Sequence, residues 1–338
     1  MNRCALLDLT RFMASLLIMT FNLSVIEIKD YPFFDAHIFV VYFFMVTGYY
    51  TAKHFDGKNN DSPIKDSVAY TIKKYLPFIP YLIVIQVLAW GEDMVKNCYI
   101  FDYPIINYLP KNIEHFCFDL LLISETYTSP LVAPLWYLSA MLIVFPFFCW
   151  IMQISNRYLI MIICIAFPLI WYGQIGMSTG NTVMRALAGM CLGAFVYETS
   201  IAFKDYIQKI NKILLTFIEI LVFTFVLIST FRNWNTYRLD VLCFVVCLTT
   251  MLSGFSYAKN IKGNVFIYLG KLSVPVYMSH YCIGIIVNDL GKLLLWNNVI
   301  KISLFYGATI LFSMLVLYIV NNWKWFQKII NKPIELKD

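Results

Sequence analysis

The sequence predicts an all-α, polytopic membrane protein of about ten transmembrane helices, with both termini in the cytoplasm. Its composition is the first indication: 60% of the 338 residues are hydrophobic, only 14% are charged, and the mean hydropathy is +0.69. A typical soluble domain carries about 25% charged residues. The second indication is that the apolar residues come in long runs, many of them close to the roughly 20 residues that a helix needs to cross a bilayer.

The distribution of basic residues supports this topology. When Met1 is placed in the cytoplasm, most of the 26 lysines and arginines fall in cytoplasmic segments, as the positive-inside rule requires. The long connection 91–133 is then extracytoplasmic, and its apolar piece Phe116 to Ile123 is too short to span, which predicts a re-entrant or interfacial segment. The predicted spans are residues 5–26, 36–54, 68–90, 134–153, 157–173, 181–198, 211–231, 238–256, 266–288 and 301–320.

Charge and cysteine content exclude several function classes. The net charge of +6 is explained by lysines at the cytoplasmic face, so no nucleic-acid partner is expected. The nine cysteines show neither C-x-x-C nor Cys/His spacing, and most lie in apolar runs. We therefore expect buried thiols, with no disulfide framework and no metal site.

The first span holds two polar residues that need an explanation. Arg11 lies inside the apolar run, where an arginine costs at least ~2.5–3.5 kcal/mol on insertion scales. Asn22 follows eleven residues later, about three helical turns or roughly 16 Å along the axis, so the two are predicted to share one helix face. The simpler alternative to a functional role for Arg11 is a structural ion pair with Asp8.

Several different short motifs lie at the ends of the predicted spans or inside them. The cytoplasmic pair Lys73-Lys74 precedes Pro77, and Arg185 lies in span 6 with Gly189 and Gly193. The other motifs are Asp8-x-x-Arg11-x10-Asn22, Phe43-Phe44-Met45-Val46-Thr47-Gly48-Tyr49, Leu135-Trp136-Tyr137-Leu138, and Leu269-Gly270-Lys271-Leu272-Ser273 followed by Tyr277-Met278-Ser279-His280.

In this order and spacing the motifs resemble the acyltransferase 3 family of bacterial membrane O-acyltransferases. The resemblance covers essentially the whole chain and implies one transmembrane domain over residues 1–338, with no appended soluble domain. It also implies transfer of an acetyl group from cytoplasmic acetyl-CoA to a hydroxyl of a cell-surface or capsular polysaccharide. The expected location is the bacterial inner membrane, the expected partners are acetyl-CoA, a glycan or lipid-linked saccharide and the lipid bilayer, and a homo-oligomer is compatible with the sequence.

Position 22 departs from the family, whose Arg-x10-His motif carries an essential histidine there. A histidine can accept a hydroxyl proton near neutral pH, whereas an asparagine amide can only donate and accept hydrogen bonds. Three interpretations follow: an introduced change from His, a degenerate or binding-only homologue, or a different base at His280 or His37. The first two predict an inactive or impaired enzyme.

The resemblance and the polar positions together predict the site residues. Simpler alternatives are positive-inside lysines for the cofactor pair, an aromatic belt for Trp136 and Tyr137, and a structural histidine for His280. The predicted catalytic residues are Asn22, Arg11 and His280; the cofactor-binding residues are Lys73, Lys74 and Arg185; and the substrate-binding residues are Trp136, Tyr137 and His37.

Two other function classes remain open at this stage. A transporter or exporter of a glycan intermediate would also need intramembrane arginines and interrupted helices, but no coenzyme site. A non-catalytic scaffold of a polysaccharide synthase would explain the loss of a base at position 22.

Overall fold

The computed structural model describes residues 4–29, 32–33, 35–58, 62–100, 104–123, 132–154, 156–174, 181–234 and 236–330. Every regular element in these ranges is helical, which confirms the all-α prediction. The α-helices are α1 (Ala5–Phe21), α2 (Phe39–Phe55), α3 (Pro63–Tyr75), α4 (Ile79–Val95), α5 (Ile105–Leu120), α6 (Trp136–Ile154), α7 (Arg157–Gln174), α8 (Thr182–Ala202), α9 (Lys204–Ile207), α10 (Lys212–Arg232), α11 (Tyr237–Ser253), α12 (Asn264–Leu293), α13 (Asn298–Asn322) and α14 (Lys324–Ile330).

Five helical stretches are long and apolar enough to cross a membrane, so the chain is a multi-pass membrane protein. Helices also occupy the other predicted spans, but they are shorter or more polar; the count of ten and the orientation of the termini stay predictions. The five stretches are Ala5–Ile26, Pro63–Cys98, Ala133–Gln153, Lys212–Arg232 and Asn298–Asn322.

The chain forms two compact units, each assembled from three separate segments. Unit 1 consists of Met1–Phe21, Pro32–Thr71 and Ile143–Lys271. Unit 2 consists of Asn22–Tyr31, Ile72–Leu142 and Leu272–Asp338.

In unit 1, helices α2 and α8 approach each other closely at glycines. A Cβ atom added at Gly48 would overlap the backbone of Met190, and one added at Gly193 would overlap the backbone of Met45. Small residues let helix backbones approach in this way inside membranes, where packing replaces the hydrophobic effect as the force between helices. Gly48 and Gly193 therefore allow α2 and α8 to pack backbone against backbone.

In unit 2, prolines and one carboxylate shape the helices. The helical path through predicted span 3 changes to a 3-10 turn at Leu76–Phe78, around Pro77, before α4 begins. Helix α12, by contrast, continues through Pro275. Asp93 of α4 accepts hydrogen bonds from Tyr108 (2.5 Å) and Asn112, both on α5, and so holds α5 against α4.

The apolar piece that begins at Phe116 does not form a segment of its own. Its first residues are the last turn of the 16-residue helix α5, and the helix ends at Leu120. Trp90 of α4 contacts Phe116 with the ring centroids 6.4 Å apart, so the apolar side of α5 rests on α4.

Substitution of Gly193 by alanine should destabilise unit 1, because the new methyl group would overlap the α2 backbone. Overpacking of this kind costs about 1–3 kcal/mol of unfolding free energy. Gly307→Ala in α13 is the matched control, since no atom lies within 4 Å of its added Cβ. Thermal unfolding of both variants in detergent checks this; an equal or higher midpoint for Gly193→Ala than for Gly307→Ala would contradict it.

Candidate active site

Asn22 and His280 meet in unit 2, although 258 positions separate them in the sequence. Helix α1 ends at Phe21, and Asn22 begins a 3-10 turn that runs to Ile26. This turn lies against α12 at Gly284, where an added Cβ would come within 3.0 Å of Val25. His280 is one α-helical turn before Gly284, and Asn22 is one 3-10 turn before Val25, so the same close approach brings the two side chains together.

The hydrogen bonds of His280 define its protonation state. The ring is fully buried; its Nε2 lies 3.1 Å from Asn22 Nδ2, and its Nδ1 lies 3.3 Å from the carbonyl oxygen of Val276. An amide nitrogen can only donate and a carbonyl oxygen can only accept. Nε2 is therefore the unprotonated nitrogen, Nδ1 carries the proton, and the imidazole is neutral.

Aromatic side chains connect this pair to the predicted substrate residues. The Tyr277 ring lies 6.1 Å from His280 and 5.6 Å, edge to face, from Tyr137. Its hydroxyl donates to the carbonyl oxygen of Pro134, at the start of α6. Trp136 adjoins Tyr137 with a centroid distance of 6.5 Å. Unit 2 thus brings together Asn22, His280, Trp136 and Tyr137, and adds Tyr277, whose linking role the sequence analysis missed.

Arg11 lies in unit 1, half-buried on α1, with the buried Asp8 one turn earlier. The Asp8 carboxylate packs against Gly270, where an added Cβ would overlap it. The glycine of one motif therefore makes room for the carboxylate of another. Thr10 forms a 2.6 Å hydrogen bond with the buried hydroxyl of Tyr42, and the charge of Arg11 lies near enough to act on that phenol.

His37 and Arg185 both lie in unit 1, and each is linked to Tyr237. The His37 ring contacts Phe21 at 5.4 Å and Tyr237 at 5.1 Å. Tyr237, whose hydroxyl donates to Asp35, also lies within electrostatic reach of Arg185 in the first turn of α8. Tyr237 is therefore the residue to which both Arg185, predicted to bind the cofactor, and His37, predicted to bind the substrate, are linked.

Lys73 and Lys74 occupy the last turn of α3, and both are exposed. They lie in unit 2, immediately before the 3-10 turn at Pro77. Solvent access suits a role in holding phosphate groups, and it equally suits positive-inside lysines.

Unit 2 also carries ion pairs near the ends of its helices that the sequence analysis did not single out. Lys96 contacts Asp289 at 3.0 Å, and Lys292 contacts Glu27. The hydrogen bond from Lys292 lowers the pKa of Glu27 below its usual range. On α5, removal from water and the hydrogen bond to Asp93 raise the pKa of Tyr108 to about 12.

Comparison with known proteins decides the family. The sequence matches Acyl_transf_3, described as an acyltransferase domain, over residues 5–318, which is nearly the whole chain. The chain belongs to the Acyl_transf_3 family. No curated protein and no solved structure matches the sequence.

Membership in Acyl_transf_3 indicates acyl transfer as the activity of this multi-pass membrane protein. An acyl acceptor that attacks through a hydroxyl or an amine must lose a proton as the acyl group arrives. Of the two side chains in the Asn22–His280 pair, only the imidazole can take that proton. The lone pair that would accept this proton is on Nε2. That nitrogen already accepts the hydrogen bond from Asn22.

The arrangement predicts the Nδ1–H tautomer for His280. In ¹⁵N-histidine-labelled protein, Nε2 of this residue should resonate as an unprotonated nitrogen and Nδ1 as a protonated one. The chain has only four histidines, so loss of the signals in His280→Gln assigns them. Asn22→Leu should shift Nε2 by removing its donor, and a protonated Nε2 in the unaltered protein would contradict the assignment.

Proposed function

We propose that the chain is an O-acetyltransferase that moves an acetyl group from cytoplasmic acetyl-CoA to a hydroxyl of a cell-surface polysaccharide in the bacterial inner membrane. The Asn22–His280 hydrogen bond is the observation that supports it best. It joins the position of the family's essential histidine to a fully buried imidazole. An ionisable side chain inside a spanning helix is a functional candidate by default, and α12 occupies one of the predicted spans.

In this proposal His280 is the general base. The acceptor hydroxyl displaces the Asn22 amide from Nε2, and the imidazole takes the hydroxyl proton as the oxygen attacks the acetyl carbonyl carbon. The carbon–sulfur bond then breaks, and the imidazolium returns the proton to the leaving thiolate. The products are an acetyl ester and the free thiol of the coenzyme, and the imidazole ends neutral.

Asn22 makes this enzyme slow. In the resting state its amide occupies the lone pair that the acceptor proton needs, so each turnover must first break that hydrogen bond. The amide cannot itself take a proton or carry an acetyl group. A histidine at position 22 would supply a second imidazole, and removal of a general base typically costs 10²–10⁴-fold in rate.

The other predicted residues take supporting roles. Lys73 and Lys74 would attract the coenzyme phosphates, and Arg11 would neutralise the coenzyme or polarise the acyl carbonyl. Trp136 and Tyr137 would present a face for a sugar ring, a role for which aromatic rings with a polar edge are suited. Arg185 would bind the coenzyme, and His37 would contact the acceptor.

Variants at the two positions test the proposal by their opposite effects. His280→Gln should abolish acetyl transfer, because glutamine can accept the hydrogen bond from Asn22 but cannot take a proton. Asn22→His should raise the rate by about 10²-fold or more. Acetylated glycan is measured in membranes that hold matched amounts of each variant, with His115→Gln on α5 as a histidine control outside the site.

Each result bears on a different part of the proposal. Unchanged transfer in His280→Gln would rule out His280 as the base. No gain in Asn22→His would rule out Asn22 as the cause of a slow enzyme. If neither the unaltered protein nor Asn22→His transferred acetyl, and the unaltered protein did not bind millimolar acetyl-CoA, the transporter and scaffold functions would replace this one.

A further inference from the structure

A second candidate site lies in unit 1, and none of its lining residues has a role in the proposed acetyl transfer. A cavity of about 640 Å³ opens where α2, α8 and α11 end and where α9 and α10 lie. Its lining includes three lysines, Lys53, Lys204 and Lys212, and the described residues around it contribute no aspartate or glutamate. The volume falls within the ~300–1,000 Å³ of small-molecule pockets.

The lysine charges are not balanced by the carboxylates on the same helices. Asp56 and Glu198 both bind Arg157, at 2.7 and 2.6 Å, and Asp56 also accepts a hydrogen bond from Tyr197. Asp205 follows Lys204 directly but does not line the cavity. Three like charges around one concave surface repel one another and favour an anion between them.

The position of Lys212 supports the same conclusion. It is the first residue of α10, where the helix dipole favours an acidic side chain, and the first turn of α10 contains none. Its charge therefore does not serve the stability of the helix. The positive end of the dipole adds to the attraction for an anion in the cavity.

The floor of the cavity is aromatic, whereas its rim carries the lysines. Tyr49, Tyr197 and Phe255 are buried there, and the Tyr49 and Tyr197 rings meet edge to face at 5.4 Å. Lys53 reaches over the Tyr49 ring, with Nζ 6.0 Å from its centroid. Aromatic surface below and exposed ammonium groups above suit a ligand with both a flat apolar part and phosphates.

We infer that this cavity binds a phosphate-bearing ligand of about the size of a nucleotide, held by Lys53, Lys204 and Lys212. The shared chemistry is phosphate, and a soluble nucleotide derivative or an anionic lipid headgroup could supply it. The aromatic floor favours the nucleotide. The inference goes beyond acetyl transfer, and it rests on the proposed function only where the ligand is the nucleotide end of acetyl-CoA.

The test uses the full chain in nanodiscs of neutral lipid, with adenosine 3′,5′-bisphosphate and coenzyme A as soluble probes. Replacement of the three lysines by alanine should weaken binding at least tenfold, since each removes one charged donor to phosphate. Binding to the unaltered chain should also weaken as salt is raised. In a second set of nanodiscs, retention of added phosphatidylglycerol measures the lipid source.

Matched variants separate this site from general surface charge. Lys209→Ala removes an exposed lysine of the same segment that does not line the cavity, and it should leave binding unchanged. Lys262→Ala, at a second exposed lysine of unit 1 that does not line the cavity, should also leave binding unchanged. Lys204→Arg keeps the charge and should retain binding.

The outcomes are distinct. Lysine-dependent binding of a soluble probe, or lysine-dependent retention of phosphatidylglycerol, supports the inference and identifies the source. No binding of any probe to the unaltered chain, or equal binding by the triple variant, overturns it. Bisphosphate binding without acetyl transfer would leave this inference standing and count against the proposed function alone.

Discussion

The structure depends on one constraint: a polar side chain that is buried away from water must find its partner within the protein. A buried donor or acceptor left without a partner costs about 1–3 kcal/mol. His280 meets this constraint with both ring nitrogens, one facing the Val276 carbonyl of its own helix and the other the Asn22 amide. The second bond holds the turn after α1 against α12. It also occupies the ring nitrogen that the proposed proton transfer would use.

Glycines make such polar contacts geometrically feasible. Gly284 lets the turn that carries Asn22 approach α12, and Gly270 leaves space for the carboxylate of Asp8. In unit 1, Gly48 and Gly193 perform the same task for the backbones of α2 and α8. Each of these glycines stands in a sequence motif or within one helical turn of one. The motifs therefore combine a polar residue with the space that it needs.

The sequence was sufficient to predict the helical membrane class and the family. These follow from hydropathy and spacing, which are local properties of the chain. The partner of Asn22 could not be predicted, because only tertiary packing brings residues 258 positions apart into contact. The role of Tyr277 was missed for the same reason, since its contacts with Tyr137 and His280 join two helices distant in sequence.

The lysine cavity shows a second limit of sequence reasoning. Each of the three lysines that line it (Lys53, Lys204 and Lys212) lies in a predicted cytoplasmic segment, where the positive-inside rule already explains a basic residue. Nothing in the sequence therefore distinguishes them from Lys209. Only the fold brings the three around one cavity and pairs the neighbouring carboxylates with Arg157. A basic residue at a membrane surface thus needs its three-dimensional surroundings before a role can be assigned.

The most direct test of the Asn22–His280 pair is a double-mutant cycle on the free energy of unfolding, with Asn22→Leu, His280→Phe and the double variant. Residues that share a hydrogen bond couple, and such bonds in membrane proteins average about 0.6 kcal/mol. We expect a coupling energy of at least about 0.5 kcal/mol. Additive effects, within about 0.3 kcal/mol, would contradict the contact on which the proposed chemistry depends.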